Sequence, residues 1–549
     1  MAANRMVYMP LGGAGEIGMN LYVYGFGPKG REQLIIVDAG VMFSDMETTP
    51  GIDLILPDFS WLEERRQRVM GVFVTHAHED HLGALGYLHR RVKVPIYARR
   101  FTASICQRKL DAEGFGTSSI QMVRDLTTAI EAGPFRVKFV PITHSVPEAS
   151  ALIIESPGGL VLHTGDFKID EKPLIGEAFD SGIWQRLSKE GISALVCDST
   201  NVFFDREGRS ESTIGPALAD LFTSVKGAIA ATTFASNVSR VRQIAQQAVE
   251  CGRSVVLLGA AMHRMVGAAV ESGVIDDFPK CVDPSEAVRL PRNRLLLLTT
   301  GSQGEPRAAT AQLSNGKFRG FQLVPGDIVV ISSRTIPGNE RAVARVVNRF
   351  SASGVKVIED HRELYHVSGH ANRQDLTRMQ RLLKPKMVVP MHGEHRHLTE
   401  HAELAASNGF HSEIVANGSM LDIGRRKIIA DYSDQVGRNY LDGNEIISFD
   451  TGIVRDRLRM AREGVVMVAV TFGRRQVETE ISVRSIGIGN GHDKQTDQLV
   501  AETVQACIGQ LEMREGPDAV ERQIAVAIRR GISHAVGKKP VVRVILSGY

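Results

Sequence analysis

An apolar run leads directly into three histidines and two carboxylates in the stretch Val69-Met70-Gly71-Val72-Phe73-Val74-Thr75-His76-Ala77-His78-Glu79-Asp80-His81. The run predicts a buried strand that ends in a polar loop. Side chains two apart on an extended segment point the same way, so His76 and His78 can converge on one ion. Asp80 and His81 then open a predicted helix and can face a second ion. The alternative is a polar turn with solvated histidines, but imidazole and carboxylate together favour a Zn²⁺ or Mn²⁺ site.

Composition bounds the class of protein. A chain of 549 residues is too long for one core and predicts several domains. Its 43% hydrophobic and 23% charged residues are typical of globular proteins, and a net charge of +3 does not by itself indicate a nucleic-acid partner. The five cysteines form no C-x-x-C pair, which favours a reducing compartment. No apolar run reaches membrane-spanning length and no signal segment is apparent, so we expect a cytoplasmic enzyme without a membrane partner.

A glycine-rich stretch near the start, 13–18, fits the dinucleotide pattern G-x-G-x-x-G, with Asp38 at the expected distance. That pattern binds pyrophosphate only when a helix follows the last glycine. Here the continuations at 20–24 and 34–37 predict strands separated by a turn. The dinucleotide interpretation is therefore rejected.

Several other predicted strands end at a residue of ligand type. The strands predicted before Asp38, His144, Asp166, Asp198 and His392 are mainly apolar. Side chains presented at the ends of strands in one scaffold can converge on a shared site. Taken alone, each of these residues is more simply a cap or turn residue. Together with the histidine cluster they supply enough ligands for two ions.

Between 210 and 360 the pattern changes to strand, small polar loop and helix, repeated several times. This alternation predicts a parallel sheet inserted as its own domain. Its loops, at 235–240, 300–306 and 332–340, offer backbone N–H groups and hydroxyls to an anion, although ordinary helix caps explain each loop equally well. Several such loops beside a metal site favour a phosphate-bearing substrate.

The inserted segment is followed by His366-Val367-Ser368-Gly369-His370. Gly369 permits close approach of the backbone to a ligand, and His370 titrates near neutral pH, which suits proton donation or phosphate contact. The alternative is that His370 caps the helix predicted to follow.

The series His76-x-His78-x-Asp80-His81, continued by His144, Asp166 and His392, resembles the ligands of the metallo-β-lactamase superfamily. The resemblance implies a four-layer αββα sandwich in which Asp38 orients the histidine loop. It also implies two ions and assigns their ligands. His76, His78 and His144 would hold one ion, Asp80, His81 and His392 the other, and Asp166 would bridge them.

Further motifs resemble the β-CASP branch of that superfamily and, within it, the bacterial ribonuclease J family. The matching stretches are 12–20, 76–81, 234–237, 300–306, 336–340, 366–371 and 390–394. One departure is Ala260, where the family commonly has arginine before a small residue and Met262. The missing arginine weakens the case for binding of an RNA 5′ end more than the case for metal.

The expected fold class is α/β: a metallo-β-lactamase sandwich with an inserted parallel-sheet β-CASP domain and a small C-terminal α/β domain. The expected boundaries are 1–209 for the first part of the sandwich, 210–360 for the β-CASP domain, 361–443 for completion of the sandwich, 444–463 for a linker and 464–549 for the C-terminal domain. In the family, the last domain supports oligomerisation, which implies a homodimer or homotetramer.

The resemblance implies a ribonuclease that uses two divalent ions, Zn²⁺ first with Mn²⁺ or Mg²⁺ as alternatives, in RNA processing and decay. It implies 5′→3′ exonuclease action on single-stranded RNA with a 5′-monophosphate, and some endonuclease action. His370 would protonate the leaving oxygen or stabilise the transition state, and Asp198 would orient the site. The RNA backbone would contact Ser236, Asn237, Gly301, Ser302, Gln303, His366, Val367, Ser368, Gly369 and His370. A DNA-directed β-CASP nuclease and a small-molecule metallo-hydrolase remain as alternatives.

Overall fold

The computed structural model describes residues 4–360, 364–473, 479–488, 493–510 and 516–548. The chain forms two compact units, one of Met1–Met42 with Leu56–Gly437 and one of Phe43–Ile55 with Arg438–Tyr549. A search of the described residues found no helix with the length and apolar character needed to span a bilayer.

Two mixed sheets form the centre of the first unit. Their inward side chains, among them Tyr8, Phe73, Phe139 and Val196, belong to one buried core, so the sheets pack face to face. In spatial order, the larger sheet consists of Lys427–Asp431, Ser419–Asp422, Arg5–Gly12, Leu21–Gly27, Gln33–Val37, Val69–Phe73, Ile96–Arg99 and Ile120–Val123. The smaller sheet consists of Ile130–Ala132, Phe135–Pro141, Ser150–Ser156, Gly159–His163, Ala194–Asp198 and Val388–Met391.

Leu21–Gly27 is a strand that pairs antiparallel with Arg5–Gly12. The glycine-rich stretch is therefore followed by a strand and not by a helix, as the rejection of a dinucleotide site requires. One further short pairing joins Ala14–Gly15 to Gly393–Glu394.

Helices contact these sheets, for example His395–Ser407 against Val388–Met391 and Arg100–Ala112 against Ile96–Arg99. The α-helices of this part are Ser60–Glu63, Glu79–Leu82, Leu85–Arg91, Arg100–Ala112, Ser181–Ser188, Arg373–Leu383 and His395–Ser407. With the two sheets they form the predicted sandwich.

A third sheet is inserted between the strands Ala194–Asp198 and Val388–Met391. Its five strands are all parallel and apolar, and helices bury both faces. The strand order is Ser254–Leu258, Leu295–Thr299, Ile229–Thr232, Ile328–Ile331 and Lys356–Glu359. The helices are Gly215–Ser224, Val238–Glu250, Ala260–Glu271, Pro284–Ala287, Ala309–Ser314 and Glu340–Ala352. The predicted fold class, a sandwich interrupted by a parallel sheet, is confirmed.

The second unit contains a sheet whose spatial order is Thr479–Ile486, Val465–Phe472 and Val541–Ser547. Alternate residues of Val465–Phe472 are buried against the helices Asp493–Ile508 and Pro517–Val536. The segment predicted as a linker contains the strand Glu445–Ser448, which pairs with Arg438–Asp442, and the helix Ile453–Glu463. Short strands Met42–Phe43 and Leu54–Pro57 lie where the chain enters and leaves Phe43–Ile55. The division into these five segments stays a prediction.

Parallel pairing brings the predicted ligands together. Gln33–Val37 pairs parallel with Val69–Phe73, so Asp38 and the histidine loop leave the larger sheet at the same edge. Ala194–Asp198 lies between and parallel to Gly159–His163 and Val388–Met391. The loops that follow these three strands therefore emerge together at one edge of the smaller sheet.

Gly40 provides a direct test of how the histidine loop is packed. A Cβ atom at this position would lie 1.6 Å from the carbonyl oxygen of Asp80. We expect Gly40→Ala to force the loop away and to lower the thermal unfolding midpoint of the protein by roughly 5 °C or more. Gly116→Ala is the matched control, because a Cβ there meets nothing within 4 Å. Equal midpoints for the two variants would contradict this packing.

Candidate metal centre

Three histidines and one aspartate form the first ligand cluster, His76, His78, His144 and Asp166. The Nδ1 atom of His78 lies 3.2 Å from Nε2 of His76 and 3.1 Å from Nε2 of His144. Oδ2 of Asp166 lies 3.7 Å and 3.8 Å from those two Nε2 atoms. Burial lowers the pKa of all three histidines, that of His78 to about 4. The rings are therefore neutral, and their nitrogens face one another.

Nδ1 of His144 donates to the Gly369 carbonyl, so its Nε2 presents a lone pair to the other two rings. A cation among the converging nitrogens would accept that lone pair. A tetrahedral zinc site with bonds of about 2.0–2.1 Å to nitrogen holds its ligand atoms roughly 3.3 Å apart, close to the spacings in this cluster. The donor set and its spacing thus fit a divalent metal ion.

The second cluster consists of Asp80, His81, Asp166 and His392. His392 Nδ1 donates to Oδ1 of Asp166 over 2.7 Å, and its Nε2 lies 3.3 Å from Oδ2 of Asp80. Nε2 of His81 lies 3.2 Å from Oδ2 of Asp166. Burial lowers the pKa of both histidines, but the nearby carboxylates outweigh it, so the pKa of His392 rises to about 10 and that of His81 rises well above its usual value. Because ligand histidines must be neutral, an ion binding here displaces these protons.

The rings are oriented by hydrogen bonds on their far sides. Nδ1 of His144 donates to the carbonyl oxygen of Gly369 over 2.6 Å. Nδ1 of His81 donates to Oδ2 of Asp38 over 2.8 Å, and Asp38 in turn accepts from the backbone N–H and the hydroxyl of Thr75. These partners fix the tautomers that point Nε2 into the centre. Asp38 thus lies where it can orient the histidine loop, as the resemblance implies.

Asn20 stabilises the same loop through hydrogen bonds, a role that was not predicted from the sequence. Its backbone N–H and its side-chain amide both donate to the carbonyl oxygen of Asp80, over 2.9 and 3.0 Å. The Tyr22 hydroxyl donates to Oδ1 of Asn20 over 2.6 Å. Both side chains are fully buried. The sequence showed Asn20 at the start of a predicted strand, but nothing in it indicated the partner.

His370 and Asp198 form a pair at the edge of the two clusters. Nδ1 of His370 donates to Oδ2 of Asp198 over 2.8 Å and lies 3.9 Å from Oδ2 of Asp166. Burial lowers the pKa of His370, but Asp198 and Asp166 together raise it. The His370 side chain keeps 22% of its surface exposed. A partly accessible imidazole whose pKa is raised by two carboxylates is suited to giving a proton to a substrate.

The loops predicted to contact substrate have mixed roles in the structure. Asn237 uses its side chain to cap the helix Val238–Glu250, and Ser236 beside it is half-buried. Gln303 is buried and joins two loops, because its amide donates to the carbonyl of Arg334 and its oxygen accepts from the N–H of Ile336. Gly301 has a left-handed φ of 101°, and Ser302 is buried. Substrate contact by these residues stays a prediction.

The segment 366–370 approaches the centre from the inserted part of the chain. Gly369 fits closely, since a Cβ there would lie 2.7 Å from the Ser145 hydroxyl. Ser368 accepts a hydrogen bond from the Asn201 amide over 2.8 Å. The side chain of Val367 is buried in the core of the inserted sheet, so only its backbone can reach a substrate. His366 lies further back, against Arg240.

Arg240 was not predicted as a functional residue, although it stabilises this segment. It is fully buried and pairs with Glu211 through two of its nitrogens. It also donates to the carbonyl oxygens of Ser332 and Val367, over 3.1 and 3.2 Å. Buried arginines are rare, and nothing local in the sequence distinguishes this one from the surface arginine Arg242 on the same helix.

Family models match four consecutive parts of the chain. The metallo-β-lactamase superfamily model matches residues 19–201, and the model of the ribonuclease J β-CASP domain matches 226–350. The Zn-dependent metallo-hydrolase RNA specificity domain matches 354–415, and the ribonuclease J C-terminal domain matches 452–548.

Proteins named ribonuclease J from several bacteria match nearly the whole chain. Ribonuclease J of Sinorhizobium meliloti is 38% identical over 551 aligned positions, which cover 99% of this chain and 97% of that protein. Ribonuclease J of Mycolicibacterium smegmatis is 35% identical, covering 96% and 94%. That of Helicobacter pylori strain 26695 is 32% identical, covering 97% and 78%.

Among solved structures, a protein of unknown function from Enterococcus faecalis superposes with a TM-score of 0.53 at 18% identity. The match covers 77% of this chain and all of that one. It supports the fold alone.

Arg240→Met should destabilise the protein, because it leaves the Glu211 carboxylate buried without its main partner. We expect a loss of about 3 kcal/mol in denaturant unfolding, and partial recovery in the double variant with Glu211→Gln. The control is Arg242→Met, two residues along the same helix, whose more exposed pair with Asp277 is worth less than about 1 kcal/mol. A double variant as unstable as the sum of both single variants would contradict the coupling.

Proposed function

The chain belongs to the ribonuclease J family, a family of metal-dependent nucleases, and from this premise we propose that it degrades single-stranded RNA 5′→3′ from 5′-monophosphate ends, with some internal cleavage. The resemblance inferred from sequence motifs is confirmed by the family models and by relatives matched over nearly the whole chain. The chain is a ribonuclease of the metallo-β-lactamase superfamily. The direction of digestion, the end preference and the use of two ions are our proposals.

One observation carries the proposal: the carboxylate of Asp166 faces two separate ligand clusters at once. Its two oxygens lie within 2.7 to 3.8 Å of nitrogens of His392, His81, His76 and His144. A carboxylate with ligand groups on both sides suits a pair of divalent ions, here Zn²⁺, or alternatively Mn²⁺ or Mg²⁺. Bound ions would supply an activated water at neutral pH and neutralise charge on the scissile phosphate.

The residues of the chain then have separate roles. His370, which is partly accessible, gives a proton to the leaving 3′ oxygen or hydrogen-bonds the transition state. Asp198 fixes the His370 ring through the bond to Nδ1, which directs Nε2 outward. Asp198 is itself held by the N–H and the hydroxyl of Thr200.

The 5′ phosphate would be held by the segment 366–370 together with Ser236, Asn237 and the loop 301–303. The proposal is supported by the closeness of this segment to the metal centre, because the carbonyl oxygen of Gly369 accepts a hydrogen bond from the candidate ligand His144. Backbone N–H groups and hydroxyls held in this way suit a phosphate monoester. Ala260 supplies no charge where the family commonly has arginine.

We further propose that the enzyme acts in the cytoplasm as a homodimer or homotetramer, in processing of ribosomal RNA and decay of messenger RNA. These proposals are supported by membership of the family and by the model match to its C-terminal domain.

The function is tested with single-stranded RNA labelled at its 5′-monophosphate end. We expect release of labelled mononucleotide, a much slower reaction with a 5′-triphosphate, and no reaction after chelation of the metal. His76→Ala should abolish cleavage, whereas the exposed His395→Ala should not. Internal fragments without mononucleotide would reject exonuclease action, and equal cleavage of the matched DNA strand would reject RNA selectivity.

Replacing His370 tests its role as proton donor. We expect His370→Ala to lower kcat by about 10² to 10⁴ while the protein keeps its full metal content. Metal is measured by plasma mass spectrometry on the same samples. A parallel loss of metal would instead make His370 a ligand, as its place in a third group with Asp166, Asp198 and His392 allows.

A further inference from the structure

Phe203 exposes its ring beside the metal centre. It shows 46% of its surface and is the only exposed phenylalanine in the described part of the first unit. Single exposed apolar side chains are common and need no explanation by themselves. Phe203 differs from such side chains in its position and in the side chains that contact it.

The turn that carries Phe203 is tied to the catalytic groups on both sides. It begins directly after Asp198, the partner of His370. Its Thr200 hydroxyl, which donates to Asp198, also lies 3.2 Å from the carbonyl oxygen of His392. The amide of Asn201 donates to the carbonyl oxygen of His370 over 3.3 Å. Phe203 follows Asn201 by two residues. The backbone that carries its ring is therefore fixed relative to the candidate ligands.

Polar and charged side chains hold the ring from the side. The imidazole of His397 packs edge to face at 5.2 Å between ring centroids, and the guanidinium of Arg396 lies 5.7 Å from the Phe203 centroid. The adjacent Phe204 is covered by the guanidinium of Arg334 at 4.0 Å. Among these rings, Phe203 is the one left exposed, and the guanidinium beside it, that of Arg396, is itself exposed and pairs with Glu394 over 2.8 Å.

We propose that Phe203 is a stacking platform for one nucleobase of the RNA, next to the phosphodiester that is cleaved. The inference rests on the proposed function, because it requires single-stranded RNA at this edge. A flat apolar surface beside arginine matches a base with its phosphate, and every base offers a π face, so the platform binds without regard to sequence. It holds the strand in register while the adjacent linkage reacts.

The test uses a series of 5′-monophosphorylated RNAs in which one abasic nucleotide occupies each position near the 5′ end in turn. For the unaltered protein, one abasic position should lower kcat/KM about tenfold, the effect of losing one stacked base. Phe203→Ala should cleave intact RNA about tenfold more slowly and lose nothing further at that position. Phe203→Trp should retain the wild-type pattern, and Phe203→Leu should behave as Phe203→Ala.

Phe449→Ala serves as the control, since Phe449 is also exposed, at 60%, but belongs to the second unit. It should leave the abasic pattern unchanged. The platform is overturned if Phe203→Ala cleaves intact RNA at the wild-type rate. It is also overturned if the variant slows intact and abasic RNAs equally, as a general distortion would.

A second measurement separates this proposal from the proposed function. The fluorescent base 2-aminopurine is placed at the sensitive position, or at each position in turn, and bound to metal-loaded His370→Ala protein. Stacking on Phe203 quenches it, and the added Phe203→Ala change should remove the quench. If the unaltered protein does not cleave RNA, this quench still supports the platform while the nuclease proposal fails; no quench at any position rejects the platform.

Discussion

The carboxylate of Asp166, 2% exposed, is the group on which the arrangement of the metal centre depends. Burial raises its pKa, but the charges of His392 and His81 outweigh this and hold the pKa well below its usual range. A charge buried this deeply is tolerated only when it is paired. The histidines around it supply the pairing in part, and divalent ions would complete it. The surrounding loops are shaped to keep this one group in place.

The sheet topology brings the histidine partners of Asp166 to it from distant parts of the sequence. Asp166 and His392 are 226 positions apart in sequence, yet they meet through a hydrogen bond of 2.7 Å. Parallel pairing of Ala194–Asp198 with Val388–Met391 makes this meeting independent of what lies between them in sequence. An entire parallel-sheet layer is therefore inserted without disturbing the ligands. After the inserted sheet, the chain reaches the site again at the segment 366–370. Arg240 stabilises this segment by donating a hydrogen bond to the carbonyl oxygen of Val367.

The convergence of the candidate ligand side chains could be predicted in part from local geometry and in part from the resemblance to a known motif, while their binding of metal stays a prediction. Strand periodicity places His76 and His78 on one side, and apolar runs locate the strand ends. The partners of buried polar groups could not be predicted in the same way. Arg240 meets Glu211, and Gln303 bridges to the loop 334–336, only after the sheets have formed. Val367 was predicted as a substrate contact from a motif. Its side chain packs in the core of the inserted sheet, so contact through its backbone stays a prediction.

Whether Asp166 bridges two ions can be determined by anomalous X-ray diffraction from zinc-loaded crystals. We expect two anomalous peaks in each chain, both in contact with the Asp166 carboxylate. One should lie among His76, His78 and His144, and the other among Asp80, His81 and His392. A single peak, or two peaks of which only one contacts Asp166, would contradict this bridging role.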